Sequence, residues 1–253
     1  MKYSLLLGKR VLLSLSLLIA VCCSSVEAQQ KRSKSTSTPA AAAKSSANIK
    51  DIRDCPDEGI GGDPDLNRRK NVRLDNKRST VRSIQWMKDL PNPKKFTAEN
   101  RNRAELVRLG EGKKITVVAY ALVARKGSKE TCNCHLSAAK DTDNHIVLVD
   151  PKVKKPTLEA SEPDSVTAEF TPRVRLDHPN LSRPKLQPLI TGQGGKLLVR
   201  VTGQLMFDSE HFLRRPLKRH NNWEIHPVFK MDYCVAATCT DTGNAGWKSL
   251  DDR

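Results

Sequence analysis

Aromatic residues are scarce: Phe, Trp and Tyr make up 4% of the 253 residues. Several of them (Phe170, Phe207, Trp223, Phe229) fall at core-phase strand positions. A platform that stacks unpaired bases needs exposed rings, so sequence-tolerant single-strand binding is disfavoured. After residue 23 no apolar run approaches the ~20 residues of a spanning helix. There is no Gly-x-Ser-x-Gly elbow, no His-Glu-x-x-His pair and no glycine-rich phosphate loop, so nothing names a nucleophile or a nucleotide site. No helical pattern of any length separates the strand-like segments, which argues against a parallel sheet.

What is present begins with an export signal. Lys2, Lys9 and Arg10 precede the apolar run "VLLSLSLLIAVCC", and Val26-Glu27-Ala28 gives a small-residue cleavage pattern. Residues 1–28 therefore read as a signal peptide, and the chain as secreted or periplasmic. Cleavage removes three basic residues and one acidic one, so the formal charge of +16 becomes about +14. Such a balance suits a polyanion or a cell-envelope component as partner; it equally serves solubility with no partner at all. Residues 29–50, rich in Ser, Thr, Ala and Lys, have too little apolar surface to offset ordering and read as a disordered linker.

Residues 51–112 read as an irregular extension with a short helix. "DCPDEGIGGDPDLNRRKN" has the Gly, Pro, Asp and Asn density of a loop. "TVRSIQWMKDL" suits a strand or short helix that docks Trp86. "TAENRNRAELVRLGEG" looks helical, with Thr97 as its cap and Gly110 and Gly112 as its stop.

Residues 113–253 form the main domain and are mainly β. "KKITVVAYALVARKG", "NHIVLVDP", "DSVTAEFTPRV", "GGKLLVRVTGQLMFD" and "NNWEIHPVFKMDYC" give five strands. The segment between the third and fourth, "HPNLSRPKLQPLITGQG", is too Pro-rich for a long helix. In the fifth, alternation puts Trp223, Ile225, Pro227, Phe229, Met231 and Tyr233 on a core face. Glu224, His226, Val228, Lys230 and Asp232 fall on the other. Five strands, a long first one and a Gly inside the fourth resemble the OB-fold, a five-stranded Greek-key barrel; the Gly suits a corner where the strand bends. The run "CNCH…NHIVLV…EFTPRV…VRVTGQLMFDSEH…WEIHPV" also resembles a group of uncharacterised exported bacterial proteins. That implies a shared domain and supplies no activity.

Export makes disulfides the default for Cys55, Cys132, Cys134, Cys234 and Cys239, with one thiol left over. Cys234 and Cys239 flank four residues and suit a local bridge; Cys55 suits a tie to Cys132 or Cys134. Zinc on Cys132, Cys134 and His135 is disfavoured, because the spacing is tighter than a zinc knuckle's.

All six histidines follow residue 134. The period of two puts Asp143 with His145 and Glu224 with His226, while Glu169 and His211 fall on or near polar strand faces. If the strands are neighbours, these six residues meet at one end of the barrel. They could hold a divalent metal, zinc or manganese, or do acid–base work. The commoner role of such a pair is cross-strand pairing that fixes register, and that reading is favoured. A basic β-barrel binding or structural module is thus the expected function. The alternative is a metal-dependent, nuclease-like hydrolase using Glu169, Arg173 and Arg175 with Asp143 and His145.

Overall fold

The computed structural model describes residues 49–73, 77–214, 217–240 and 242–252. The expected signal peptide and the linker before residue 49 lie outside the described residues. No described helix is long and apolar enough to cross a membrane.

Seven strands form among the described residues: β1 (Thr80–Arg82), β2 (Lys114–Lys126), β3 (Asn144–Val149), β4 (Val166–Phe170), β5 (Leu197–Phe207), β6 (Trp223–Cys234) and β7 (Trp247–Ser249). Their β-branched content suits a pleated, buried surface. β2 is long enough to serve two neighbours. Lys114 to Ala121 pair with Gln204 to Leu197 of β5, and Tyr120 to Lys126 pair with Val149 to Asn144 of β3. That double pairing closes the sheet. The order β2-β3-β4-β6-β5 returns to β2, antiparallel throughout except for the parallel β4–β6 pair. This is the five-stranded, OB-like barrel expected from the pattern. β1 and β7 extend it on β2 and β6.

Phe170, Phe207 and Trp223 are fully buried inside, together with the aliphatic residues of β2 to β6. Each large side chain removed from water contributes about 1.5–3 kcal/mol. Gly203 does the work of a corner. A Cβ there would lie 2.4 Å from Pro227 O, and the β5–β6 register shifts at this residue.

Four local expectations are corrected. The strand in "EFTPRV" stops at Phe170: Thr171 Oγ1 accepts a hydrogen bond from Val174 N and, with Pro172 in the first turn, starts a helix over Pro172–Asp177. The Pro-rich connection contains a ten-residue helix, Arg183–Gly192: Pro184 sits in its first turn, where the missing N–H has no intrahelical partner anyway, and the helix continues through a second proline, Pro188, inside it. In the extension, Thr97 caps only a turn, and the helix runs over Ala104–Leu109. The region read as loop also holds a helix, α1 (Pro64–Lys70), capped by the Asp63 carboxylate. "TVRSIQWMKDL" forms both β1 and a short helix, Ile84–Lys88, which buries Ile84 and Met87 and half-buries Trp86.

The structure pairs Cys55 with Cys134 and Cys234 with Cys239. Cys132 keeps a buried thiol. Cys134 is thereby unavailable to a zinc knuckle.

Candidate metal centre

β3, β4 and β6 lie side by side, and their ladders decide which polar residues meet. His145 pairs directly with Glu169, and Thr167 with Glu224. Glu169 and His226 therefore point from adjacent strands to the outer face of the barrel wall. That face is not open to water. Residues 51–73 and the loop between β2 and β3 cover it. Asn71 Nδ2 donates to Cys132 O (2.9 Å), Thr131 Oγ1 donates to Asn67 Oδ1 (3.0 Å), and the Cys55–Cys134 bridge joins the two layers. Gly59 permits the fit, since a Cβ there would stand 2.1 Å from Thr131 O.

The favoured reading of Glu224 and His226 as an ordinary paired strand face is thus incomplete. Glu224 is 1% exposed and His226 0%, and β6 continues past Pro227 to Cys234 rather than turning outward. Irregular backbone from another part of the chain supplies the cover, which alternation within β6 does not report.

At the centre stands Glu169. Its Oε2 lies 3.2 Å from His226 Nδ1 and 3.4 Å from His145 Nε2. His226 Nδ1 is also 3.3 Å from Glu224 Oε1, and its Nε2 is 3.8 Å from Asp143 Oδ2. Five of the six expected residues are therefore joined through short contacts. His211 is not among them. It sits on helix Ser209–Arg214, its Nδ1 2.5 Å from Asp208 Oδ2, and connects through Asp208 and Arg219 to Glu224.

Sequence reasoning missed Glu130, Lys70 and Arg219. Lys70 Nζ donates to Glu130 Oε2 at 2.6 Å, and Glu130 Oε1 is 3.8 Å from His145 Nε2. Arg219 bridges Asp208 and Glu224 at 2.6 and 3.0 Å. The one available signal was the Asp63-Pro64 helix start, which puts Asn67 and Lys70 one turn apart on the same face of α1. Glu130 lies before a 3-10 turn, and Arg219 in irregular chain, where no periodicity marks a direction. Arg173 and Arg175, proposed for a hydrolase, are engaged elsewhere. Arg173 donates to the carbonyls of Cys55 and Pro56, and Arg175 to those of Phe170, Lys140 and Thr142.

The charges of the cluster act strongly on one another. Burial works to raise the Glu169 carboxyl, yet His145 and His226 hold it down at about 2. Glu169 in turn lifts His145 to about 9 against burial. His226 is raised well above the ordinary imidazole range: burial opposes its charge, and Glu169 outweighs burial. Asp143 moves up to about 6 through burial and repulsion from Glu130. Burial and Glu169 raise Glu224 as well, with Arg219 opposing.

The contacts also sit outside hydrogen-bond geometry. Asp143 Oδ2, Glu169 Oε2, His145 Nε2, both carboxylate oxygens of Glu224 and both ring nitrogens of His226 are buried without a hydrogen-bond partner. A buried polar atom wholly without a partner costs about 1–3 kcal/mol, and here the ion pairs, such as Arg219 to Glu224 Oε2 at 3.0 Å, offset part of that. Two ligands held 2.0–2.2 Å from one tetrahedral ion stand roughly 3.3–3.6 Å apart, close to the separations around Glu169 Oε2. Three groups have ligand atoms within 4.8 Å of one another: Glu130, His145 and Glu169; Asp143, Glu169 and His226; Glu130, Cys132 and Asp143. These groups could hold a metal ion.

A cleft of about 500 Å³ opens above the cluster, lined by His145, Glu169, His211, Lys70, Arg125 and Arg219 among others. The His145 side chain is 37% exposed there while its Nε2 points inward and is buried.

No family model and no curated protein matches the chain. Among solved structures, a protein described as an aspartyl-tRNA synthetase from Leishmania major Friedlin matches over 68% of this chain, at 15% identity and a TM-score of 0.29. The match spans 23% of that protein's length, and a likeness this low says nothing about function.

Proposed function

We propose that the protein is an exported, metal-dependent hydrolase that holds a divalent cation, zinc or manganese, in the buried cluster and receives an anionic ester in the cleft. One observation carries this reading. The ligating atoms of Asp143, Glu169 and His226 are fully buried, lack hydrogen-bond partners and face one another. Imidazole and carboxylate together form the donor set of zinc and manganese sites. A cation held by these residues would supply Lewis-acid chemistry, acidifying a water and polarising an ester that reaches the cleft side of the cluster.

The protein's own groups have separate tasks. Lys70 pairs with Glu130, and Arg219 is shared by Asp208 and Glu224, which offsets part of the repulsion between the outer carboxylates and an anionic substrate. His211 has the form of a general acid. Asp208 holds its Nδ1 and raises its pKa, and half of the ring is exposed in the cleft. The charge of about +14 left after removal of residues 1–28 draws anions toward the cleft. Export is supported by the two disulfides.

The same charge supports a second reading, a module that binds a polyanion or envelope component without turnover. Elemental analysis of protein purified without chelators, followed by hydrolysis of bis(p-nitrophenyl) phosphate with added manganese, separates the two. Bound metal with turnover, and a lower metal content with turnover lost in His226→Ala, support the hydrolase. Metal-free protein that binds a polyanion and turns nothing over ends that reading.

A further inference from the structure

The ligand groups of the cluster are not independent. Glu169 belongs to a group with Glu130 and His145 on the cleft side and to a second, fully buried group with Asp143 and His226. Each group therefore has its own imidazole, and one carboxylate lies between them, with Oε2 3.4 Å from the first ring and 3.2 Å from the second. Asp143 and Glu130 are joined in turn through Cys132, whose Sγ donates to Glu130 Oε2 at 3.4 Å.

We infer that the site is a binuclear metal centre bridged by Glu169, with one ion on Asp143 and His226 and a second on Glu130 and His145. The inference rests on the metal reading above and goes beyond it in number, bridge and order. The geometry suits two-metal centres, in which a shared carboxylate holds ions about 3.5–4 Å apart. Charge points the same way: Asp143, Glu169 and Glu130 converge on two imidazoles, which are neutral when they ligate, so the heart of the cluster calls for cations. Exposure sets the order of exchange: the Asp143–His226 ion is enclosed, whereas the Glu130–His145 ion faces the cleft and meets substrate.

The test is manganese titration of the chelator-treated, dialysed full chain, read by elemental analysis and low-temperature electron paramagnetic resonance. Two manganese ions per chain with an exchange-coupled spectrum are expected. His145→Gln and His226→Gln should each retain one ion with an uncoupled six-line signal. Cys132→Ser should retain both ions and the coupling. One uncoupled ion in the unaltered chain overturns the binuclear inference and leaves the metal reading standing. No ion overturns both. Loss of an ion in Cys132→Ser would overturn the Glu169-bridged arrangement in favour of the Cys132 group. Because the decisive measurement is on the unaltered chain, a variant that fails to fold does not remove the test.

Discussion

Over its first residues, the two faces of β6 are equally dry and differently made. Trp223 and Ile225 point inward, both 0% exposed. Trp223 meets Phe207 edge-on at 5.1 Å, and its Nε1 donates to Pro91 O at 3.0 Å. Its one polar atom is satisfied. Glu224 and His226 point outward, 1% and 0% exposed, and none of their carboxylate oxygens or ring nitrogens has a hydrogen-bond partner. Burial alone therefore does not separate core from site. What separates them is whether the buried polar atoms are answered.

The inner face should respond to loss of volume. Trp223→Ala is expected to cost about 3–5 kcal/mol in denaturant unfolding, with or without metal. A metal-dependent cost would mean that the two faces are energetically linked. Next comes loss of a compensating charge on the outer face. Arg219→Ala leaves Asp208 and Glu224 facing each other, both nearly buried, and should cost about 3 kcal/mol at neutral pH. The cost should shrink on acidification as Glu224, already raised by burial, takes up a proton.

A smaller change isolates the site. His226→Gln should cost the metal-free protein about 1–3 kcal/mol, because Glu169 loses its buried positive neighbour. The same variant should show a smaller rise in melting temperature with zinc or manganese than the unaltered chain, because one of the two ligand groups is lost. An intact metal-induced rise would return the outer face to a structural role.

The smallest effect is a pH dependence. His145 is raised to about 9 in the folded, metal-free protein, so its contribution to stability is complete below about 6.5 and is lost as pH climbs to about 9. The ring is more than one-third exposed, so after discounting for solvent screening the loss is about 1–2 kcal/mol. Metal affinity should run the opposite way, rising with pH as the ligands lose protons. Melting curves from pH 6 to 9 with and without manganese test both signs, and parallel curves would refute the competition between proton and metal.

The sequence conveys the wall of this barrel better than its cover. β-branched alternation marked β2 to β6, and the period of two placed Asp143 with His145 and Glu224 with His226, because strand geometry makes alternate residues share a face. What lies over a face is set by distant chain. Lys70 and Asn71 reach the loop carrying Glu130 and Cys132 across about 60 residues, and nothing periodic announces that. Arg173 was misread for a different reason. Thr171 and Pro172 signal a helix start, and a strand carried through them turns the following arginines to the wrong side.

The parallel contact between β4 and β6 is the short seam of the barrel. It consists of two register pairs, Thr167–Glu224 and Ala168–Ile225, against eight between β5 and β6. Glu169 and His226 stand on opposite sides of that seam, just past its last paired residues. Backbone hydrogen bonding runs out there, and the Glu169–His226 contact continues the join. The cluster is thus also a clasp. Whatever occupies it, proton or metal, fastens the wall where the ladder is shortest, so the first opening motion of the barrel and the release of its occupant should be one event.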